Sequence, residues 1–447
     1  MTKDMTTGSP LRIILLFSIP VLLGNLFQQF YNMVDTIIVG RYLGEEALAA
    51  VGSTGCLMFL VLGFANGIAQ GFGVMVSHAF GAKDFKLLRH YVALSLILTL
   101  IISLLLTIPT VTASRLLLAW MHTPENIIAM ADAYIKVIFA GILLTMAYNV
   151  LSGILRGIGD SRTPLYFLIL SSVLNIILDV VLIVYTGLGT AGAAYATIIA
   201  QGVSAVLCFF YMYRKYDILR TRHEDYYLDS AGVKNMLAIG VPMALNYSIT
   251  AIGTMIMQSA VNVFGSSVVA AFSAASKVSN IATQSMPTLG TAMATYCGQN
   301  LGAGKYDRIY AGMRQGLFLC FGAAATAAAI CIFGGRFIVS WFVSNPSEEI
   351  FSSAMQYLTI ASWFFLPLAM IFLYRNALQG LDQGLIPMLS GVVELACRFG
   401  VIALIPASTG FFGVCFADPA AWAGAGIPLF ITYLLWERRM KQCSKAA

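Results

Sequence analysis

Long apolar runs separated by short polar stretches fill this chain from end to end. About 20 apolar residues cross a bilayer as one helix. Lipid offers the backbone no partners, so each crossing segment must satisfy its own N–H and C=O groups. The low-charge segments fall near 12–39, 47–77, 91–117, 130–155, 164–185, 189–213, 234–264, 268–297, 311–337, 352–376, 385–406 and 411–436. Twelve helices are therefore expected, the last interrupted by Asp418 and Pro419. Composition agrees: 10% of residues are charged and mean hydropathy is +0.82, against about 25% charged in soluble domains. The fold class is an all-α polytopic membrane protein. No cleavable signal pattern or appended soluble domain is expected. The longest polar loop, Arg214 to Lys234, reads as a charged, solvated linker.

The net charge of +6 is a signal of topology, and no nucleic-acid partner is implied. If residue 1 is cytoplasmic, most Lys and Arg residues fall on that side, Arg156 and Arg375 among them, and the other side holds Arg41, Arg115, Lys136 and Arg336. The positive-inside rule then places both termini in the cytoplasm. The eight cysteines contain no CxxC pair and read as small core residues; the four histidines lack metal-ligand spacing.

The chain repeats at about 221–223 residues. SIPVLLGNLF (18–27) resembles GVPMALNYSI (240–249), and GEEALAAVG (44–52) resembles GSSVVAAFS (265–273). HAFGAKDFK (78–86) matches QNLGAGKYD (299–307), and RGIGDSRTP (156–164) matches QGLDQGLIP (379–387). Two six-helix bundles are expected, 1–220 and 221–447, pseudo-symmetric about the membrane normal around a central cavity.

Two carboxylates stand inside apolar segments: Asp35 in FQQFYNMVDTIIVG and Asp179 in SSVLNIILDVVLIV. Asn25, Gln28, Tyr31 and Asp35 share one helical face, as do Asn175 and Asp179. An ionisable group at membrane depth is costly and marks an ion or substrate path. With the N-terminus inside, Asp35, Asp179 and Thr197 all fall in the outer half of the membrane. Asp35, Asn175, Asp179 and Thr197 then form an oxygen-rich cluster suited to Na⁺ or to a proton shared by two acids. Pro20 lies within helix 1, removes a backbone hydrogen bond and permits a kink. The second copy has no acid at either matching position and instead carries Lys277, Glu394 and Arg398. Glu394 and Arg398 are i, i+4 and read as a self-contained structural ion pair; Lys277 reads as a cation snorkelling outward.

These features resemble the multidrug and toxic compound extrusion (MATE) transporters along essentially the whole chain. The resemblance rests on IP at 19–20, NMVDTIIVGRYLG at 32–44, GxGDxRTP at 157–164, NxxxD at 175–179 and GAGKYDR at 302–308. It implies an antiporter, not an enzyme and without a cofactor, that expels cationic or amphipathic drugs, dyes or toxins in exchange for H⁺ or Na⁺. It implies a coupling-cation site at Asp35, Asn175, Asp179 and Thr197, and cavity positions at Gln28, Tyr31, Tyr134 and Asn149. Relatives with a second-lobe cation site carry acids in helices 7 and 10, which have none here, so the first lobe is favoured. A monomer in the inner (plasma) membrane is expected. The alternative is a lipid-linked saccharide flippase of the same superfamily, whose cavity would need several cations; only Lys277 and Arg398 read as intramembrane cations. HExxH is absent, and neither GSTG (52–55) nor GIG (157–159) has the partners or context of an enzyme motif.

Overall fold

A computed structural model describes residues 4–342, 347–404 and 407–446, and every regular element among them is helical. The first copy of the repeat holds α1 (Pro10–Leu43), α2 (Glu45–Ser53), α3 (Gly55–Gly81), α4 (Phe85–Trp120), α5 (Glu125–Ala140), α6 (Ile142–Gly157), α7 (Arg162–Val180) and α8 (Gly189–Lys215). The second holds α9 (Ser230–Asn262), α10 (Ser266–Thr283), α11 (Ser285–Gly302), α12 (Tyr306–Val339), α13 (Glu348–Trp363), α14 (Phe365–Gly380), α15 (Leu385–Leu404), α16 (Gly410–Val414) and α17 (Ala417–Ala446). Among the described residues, nine helical segments are long and apolar enough to cross a membrane, and the bent pairs α5–α6 and α13–α14 bring the number to 11. Helices α10 and α11 cover the remaining expected segment, 268–297. The bends, 48° at Gly141 and 53° at Phe364, fall at matching places in the repeat. The predicted end of the eleventh segment, 405–406, lies outside the described residues.

The helices form two compact units, one built on Ile19–Ser248 and the other on Met5–Ser18 with Ile249–Ala447. Within each, small residues let backbones touch. A Cβ on Gly157 would lie 2.7 Å from the Gly73 carbonyl oxygen, and one on Gly380 would lie 2.5 Å from that of Ala294. The α3–α6 and α11–α14 contacts are thus repeat copies of one close crossing, the means by which helices associate when lipid is as apolar as their side chains. Two turns also repeat. Left-handed backbone falls at Lys83 and Gly304, φ 57° and 67°, and at Gly159 and Asp382, φ 82° and 61°. Each turn thus uses glycine in one copy only.

Helices α1 and α9 each start in one unit and finish in the other. The segment before α1 is held by the α11–α12 corner. The Met5 amide donates to Gln299 Oε1 at 2.9 Å, Lys305 Nζ donates to the Thr6 carbonyl at 2.8 Å, and Arg308 Nη1 donates to that of Gly8 at 2.9 Å. Much of the GAGKYDR block is therefore a clamp for the N-terminal segment. The segment before α9 is held by α4. Tyr227 stacks on His90 with centroids 4.1 Å apart, His90 Nε2 meets Asp229 Oδ1 at 2.7 Å, and Arg89 pairs with Asp225 at 3.5 Å. This corrects the reading of Arg214 to Lys234 as a solvated linker. Most of its charges face solvent, but Tyr216, Leu219 and Asp225 are buried. The alternation of apolar and charged residues within this short stretch is what lets it dock.

Asp160 fastens the next corner. Its Oδ1 accepts from the Arg162 and Thr163 amides, both at 3.1 Å, and its Oδ2 from Thr163 Oγ1 at 2.6 Å and the Tyr216 hydroxyl at 2.5 Å. It satisfies the amides that open α7. Burial works to raise the Asp160 carboxyl, but the bonds from Thr163 and Tyr216 outweigh it and hold the group below the usual carboxylate range.

Candidate cation and cargo site

The acids of the first unit come from separate helices. Asp35 sits near the end of α1, among polar residues whose i, i+3, i+4 spacing gives that helix one wet face. Asp179 and Asn175 lie on α7, and a π-helical turn, Val181–Tyr185, follows directly. Such turns re-aim side chains and are frequent at functional sites. Thr197 faces them from α8.

Asp35 and Asp179 are close neighbours, each acting on the other's charge. Asp179 is 0% exposed, Asn175 1% and Thr197 9%, whereas Asp35 is half-buried. With its amide nitrogen turned toward the carboxylate, Asn175 donates to Asp179 Oδ2 at 3.0 Å and accepts from the Thr197 amide at 3.1 Å and Thr197 Oγ1 at 3.2 Å. The opposite orientation would set two acceptors against each other. Tyr31 of α1 and Tyr134 of α5 stand beside both acids. No arginine or lysine pairs with either acid among the described residues, and Oδ1 of each has no partner. Two neighbouring carboxylates withdrawn from water repel unless a proton or cation lies between them. The oxygens offered, two carboxylates with an amide and hydroxyls, fit a hard monovalent cation. Among the described residues no three His, Cys, Asp or Glu side chains converge.

Six of the expected residues thus meet: Asp35, Asn175, Asp179, Thr197, Tyr31 and Tyr134. Gln28 is exposed on α1 and Asn149 half-buried on α6, with no hydrogen bond from either to the cluster. Pro20 lies inside α1, which runs through it as one helical element.

The second unit is organised differently. Glu394 and Arg398 do bond, at 3.3 Å, but they are not self-contained. Arg375 of α14 reaches the other oxygen of Glu394 at 3.0 Å, and Arg398 Nε donates to Asp418 of α17 at 2.9 Å. The Tyr357 hydroxyl of α13 donates to Asp418 Oδ2 at 2.9 Å. Two arginines and two acids, with Tyr357, therefore form one largely buried chain across four helices. A Cβ on Gly253 of α9 would lie 2.1 Å from Arg398 Nη1, so that glycine makes room for the guanidinium. The placement of Arg375 among the surface cations is corrected by the same geometry: it is 7% exposed. It escaped notice because α14 continues to Gly380, one turn past the expected helix end. Lys277 is exposed, its ammonium 5.4 Å from the Phe342 ring centroid, and takes no part in the network.

A twelve-helix membrane fold made of two such bundles, with paired intramembrane acids in one, defines a polytopic membrane transporter. The MatE family profile matches residues 20–181 and 242–404, one stretch in each copy of the repeat, and the chain belongs to that family. The Bacillus subtilis protein named probable multidrug resistance protein YpnP is 29% identical over 416 residues, covering 92% of each chain. The same organism's probable multidrug resistance protein YoeA is 30% identical over 372 residues, covering 82% of this chain and 80% of its own. A crystal structure of MATE in complex with MaL6 superposes with a TM-score of 0.91 at 23% identity, covering 99% of this chain and 100% of that one, which establishes the fold.

Proposed function

We propose that the protein is a secondary active multidrug efflux antiporter that exports cationic or amphipathic organic compounds in exchange for H⁺ or Na⁺. The observation that carries this reading is the Asp35–Asp179 pair, one buried and one half-buried carboxylate side by side with no arginine or lysine paired to either among the described residues. Asn175 and Thr197 complete the coupling site, and Tyr31, Tyr134, Gln28 and Asn149 contact cargo. The multidrug names of the Bacillus relatives support this cargo class. The antiport logic is electrostatic. A cation loaded on the acids removes the negative charge that attracts a cationic drug, so each ligand weakens the other by the same factor. Pro20 supplies the flexible point in α1. The protein works as a monomer in the plasma membrane with both termini cytoplasmic.

The test is efflux of a cationic dye from proteoliposomes under an imposed pH or Na⁺ gradient. Whichever gradient drives efflux identifies the coupling ion, and failure of both would overturn the proposal. The flippase reading gains one observation, the second buried arginine, Arg375. Arg375 and Arg398 are, however, each held by a carboxylate, which leaves them little charge to offer a pyrophosphate. Lipid scrambling without dye efflux would favour it.

A further inference from the structure

Arg156 stands apart from every other arginine of the chain. Among the described residues the arginines fall into two groups. Most are exposed. Those that are not each find oxygen partners: Arg89 pairs with Asp225, Arg308 with Asn300 and two backbone carbonyls, Arg375 with Glu394, and Arg398 with Glu394 and Asp418. Arg156 is only half-exposed, and no hydrogen bond or ion pair reaches it among the described residues. It lies in the last turn of α6, where the helix dipole favours a cation only weakly, too little to explain a guanidinium left without an acceptor.

The ionisable groups that act on its charge are Tyr148, on its own helix, and Tyr247 of α9. Gln70 of α3 donates to the Tyr247 hydroxyl at 2.6 Å, and both side chains are half-open. Tyr148 is committed elsewhere, donating to the Pro164 carbonyl at 2.9 Å. All of these residues belong to the unit that holds Asp35 and Asp179. That unit therefore offers two acids without a fixed cation and, among its arginines that are not exposed, one without an acid.

We propose that Arg156, with Gln70 and Tyr247, is an oxyanion subsite that receives the carboxylate or phosphate of a cargo molecule. A planar fork of N–H donors suits either group. Resting on the efflux reading above, this extends the cargo class from cations to compounds that also carry an anionic group, which Arg156 receives. An anionic lipid headgroup carries the same chemistry, and the test separates the two sources.

The probes are a rhodamine bearing a free carboxylate and its methyl ester, two dyes of one ring system that differ by a single negative charge. Their affinities are measured by fluorescence polarisation on purified protein in detergent, for wild type, Arg156→Gln and Arg156→Lys. The expected result is that Arg156→Gln weakens the free acid about tenfold or more, the size of one charge-assisted hydrogen bond, leaves the ester unchanged or tighter, and Arg156→Lys recovers part of the loss. Equal effects on both dyes, or none, in a variant with wild-type thermal stability would overturn the subsite while leaving the efflux reading intact. Failure of both dyes to bind wild-type protein would instead count against the efflux reading. Repeating the measurement in nanodiscs with and without phosphatidylglycerol identifies the source. Competition by that lipid in wild type, absent in Arg156→Gln, assigns the subsite to a headgroup, and indifference to the lipid assigns it to the cargo carboxylate.

Discussion

Each copy of the repeat sets a pair of acids between its membrane helices, and the two copies treat them in opposite ways. In the second, Glu394 and Asp418 are bound by Arg375 and Arg398, so charge is fixed and balanced. In the first, Asp35 and Asp179 meet each other and no arginine or lysine. One cluster is built to keep its charge and the other to change it. The difference teaches that an acid's partners, more than its depth, decide whether it can couple to a gradient.

The largest effect that could break this comparison is the loss of one acid from the first unit. Asp35→Asn and Asp179→Asn should each express and fold, yet gradient-driven efflux should fall to the level of protein-free liposomes. Efflux at wild-type rates from either variant would remove the basis for assigning coupling to this cluster. Binding sharpens the same point: drug affinity should weaken as the coupling cation is raised in wild type and become flat in Asp179→Asn.

The second unit should respond in stability rather than in coupling. Glu394→Gln strands Arg375, at a cost of about 3–5 kcal/mol, so expression and melting temperature should drop. The network makes a finer prediction. Glu394→Gln with Arg375→Gln leaves the Arg398–Asp418 pair intact and should recover stability. Glu394→Gln with Arg398→Gln strands both Arg375 and Asp418 and should not. Equal recovery in both double variants would show that the four charges do not act as a chain.

Smaller effects come from the corners. The Asp160 carboxyl sits below the usual range, so its stabilisation is complete above the unfolded-state value, about 3.9, and is lost as pH falls through the lower folded value. Thermal unfolding followed below about pH 4 should therefore show a shallower pH dependence in Asp160→Asn than in wild type. The smallest effect is at the turns. Lys83→Gly and Asp382→Gly each relieve left-handed backbone and should stabilise by at most about 1 kcal/mol. Gly304→Ala should destabilise by about 1–2 kcal/mol, read as opposite shifts in melting temperature.

Much of this was legible in the residues. Helix number, the repeat, and the meeting of Asp35, Asn175, Asp179 and Thr197 follow from hydropathy and helical spacing, because a membrane helix must face its polar groups away from lipid. What spacing could not give was the reach of long side chains between helices. The i, i+4 rule paired Glu394 with Arg398 but is blind to Arg375 and Asp418, which arrive from other helices. The same limit hid the solitude of Arg156, since the lack of a partner is a property of three dimensions. The docked linker was missed because its exposed charges mask the buried Tyr216, Leu219 and Asp225.

The exchanged starts of α1 and α9 also bear on the order in which the protein is made. Translation delivers Met5–Ser18 first, yet the residues that clamp this segment, Gln299 to Arg308, leave the ribosome nearly three hundred residues later. The first unit likewise stays incomplete until Ser248 has been synthesised, because it includes the opening half of α9. Neither half can close as a finished bundle while the other is unmade. Assembly in the bilayer is therefore a late event, and a chain severed in the linker can reach the native fold only if both fragments are present together.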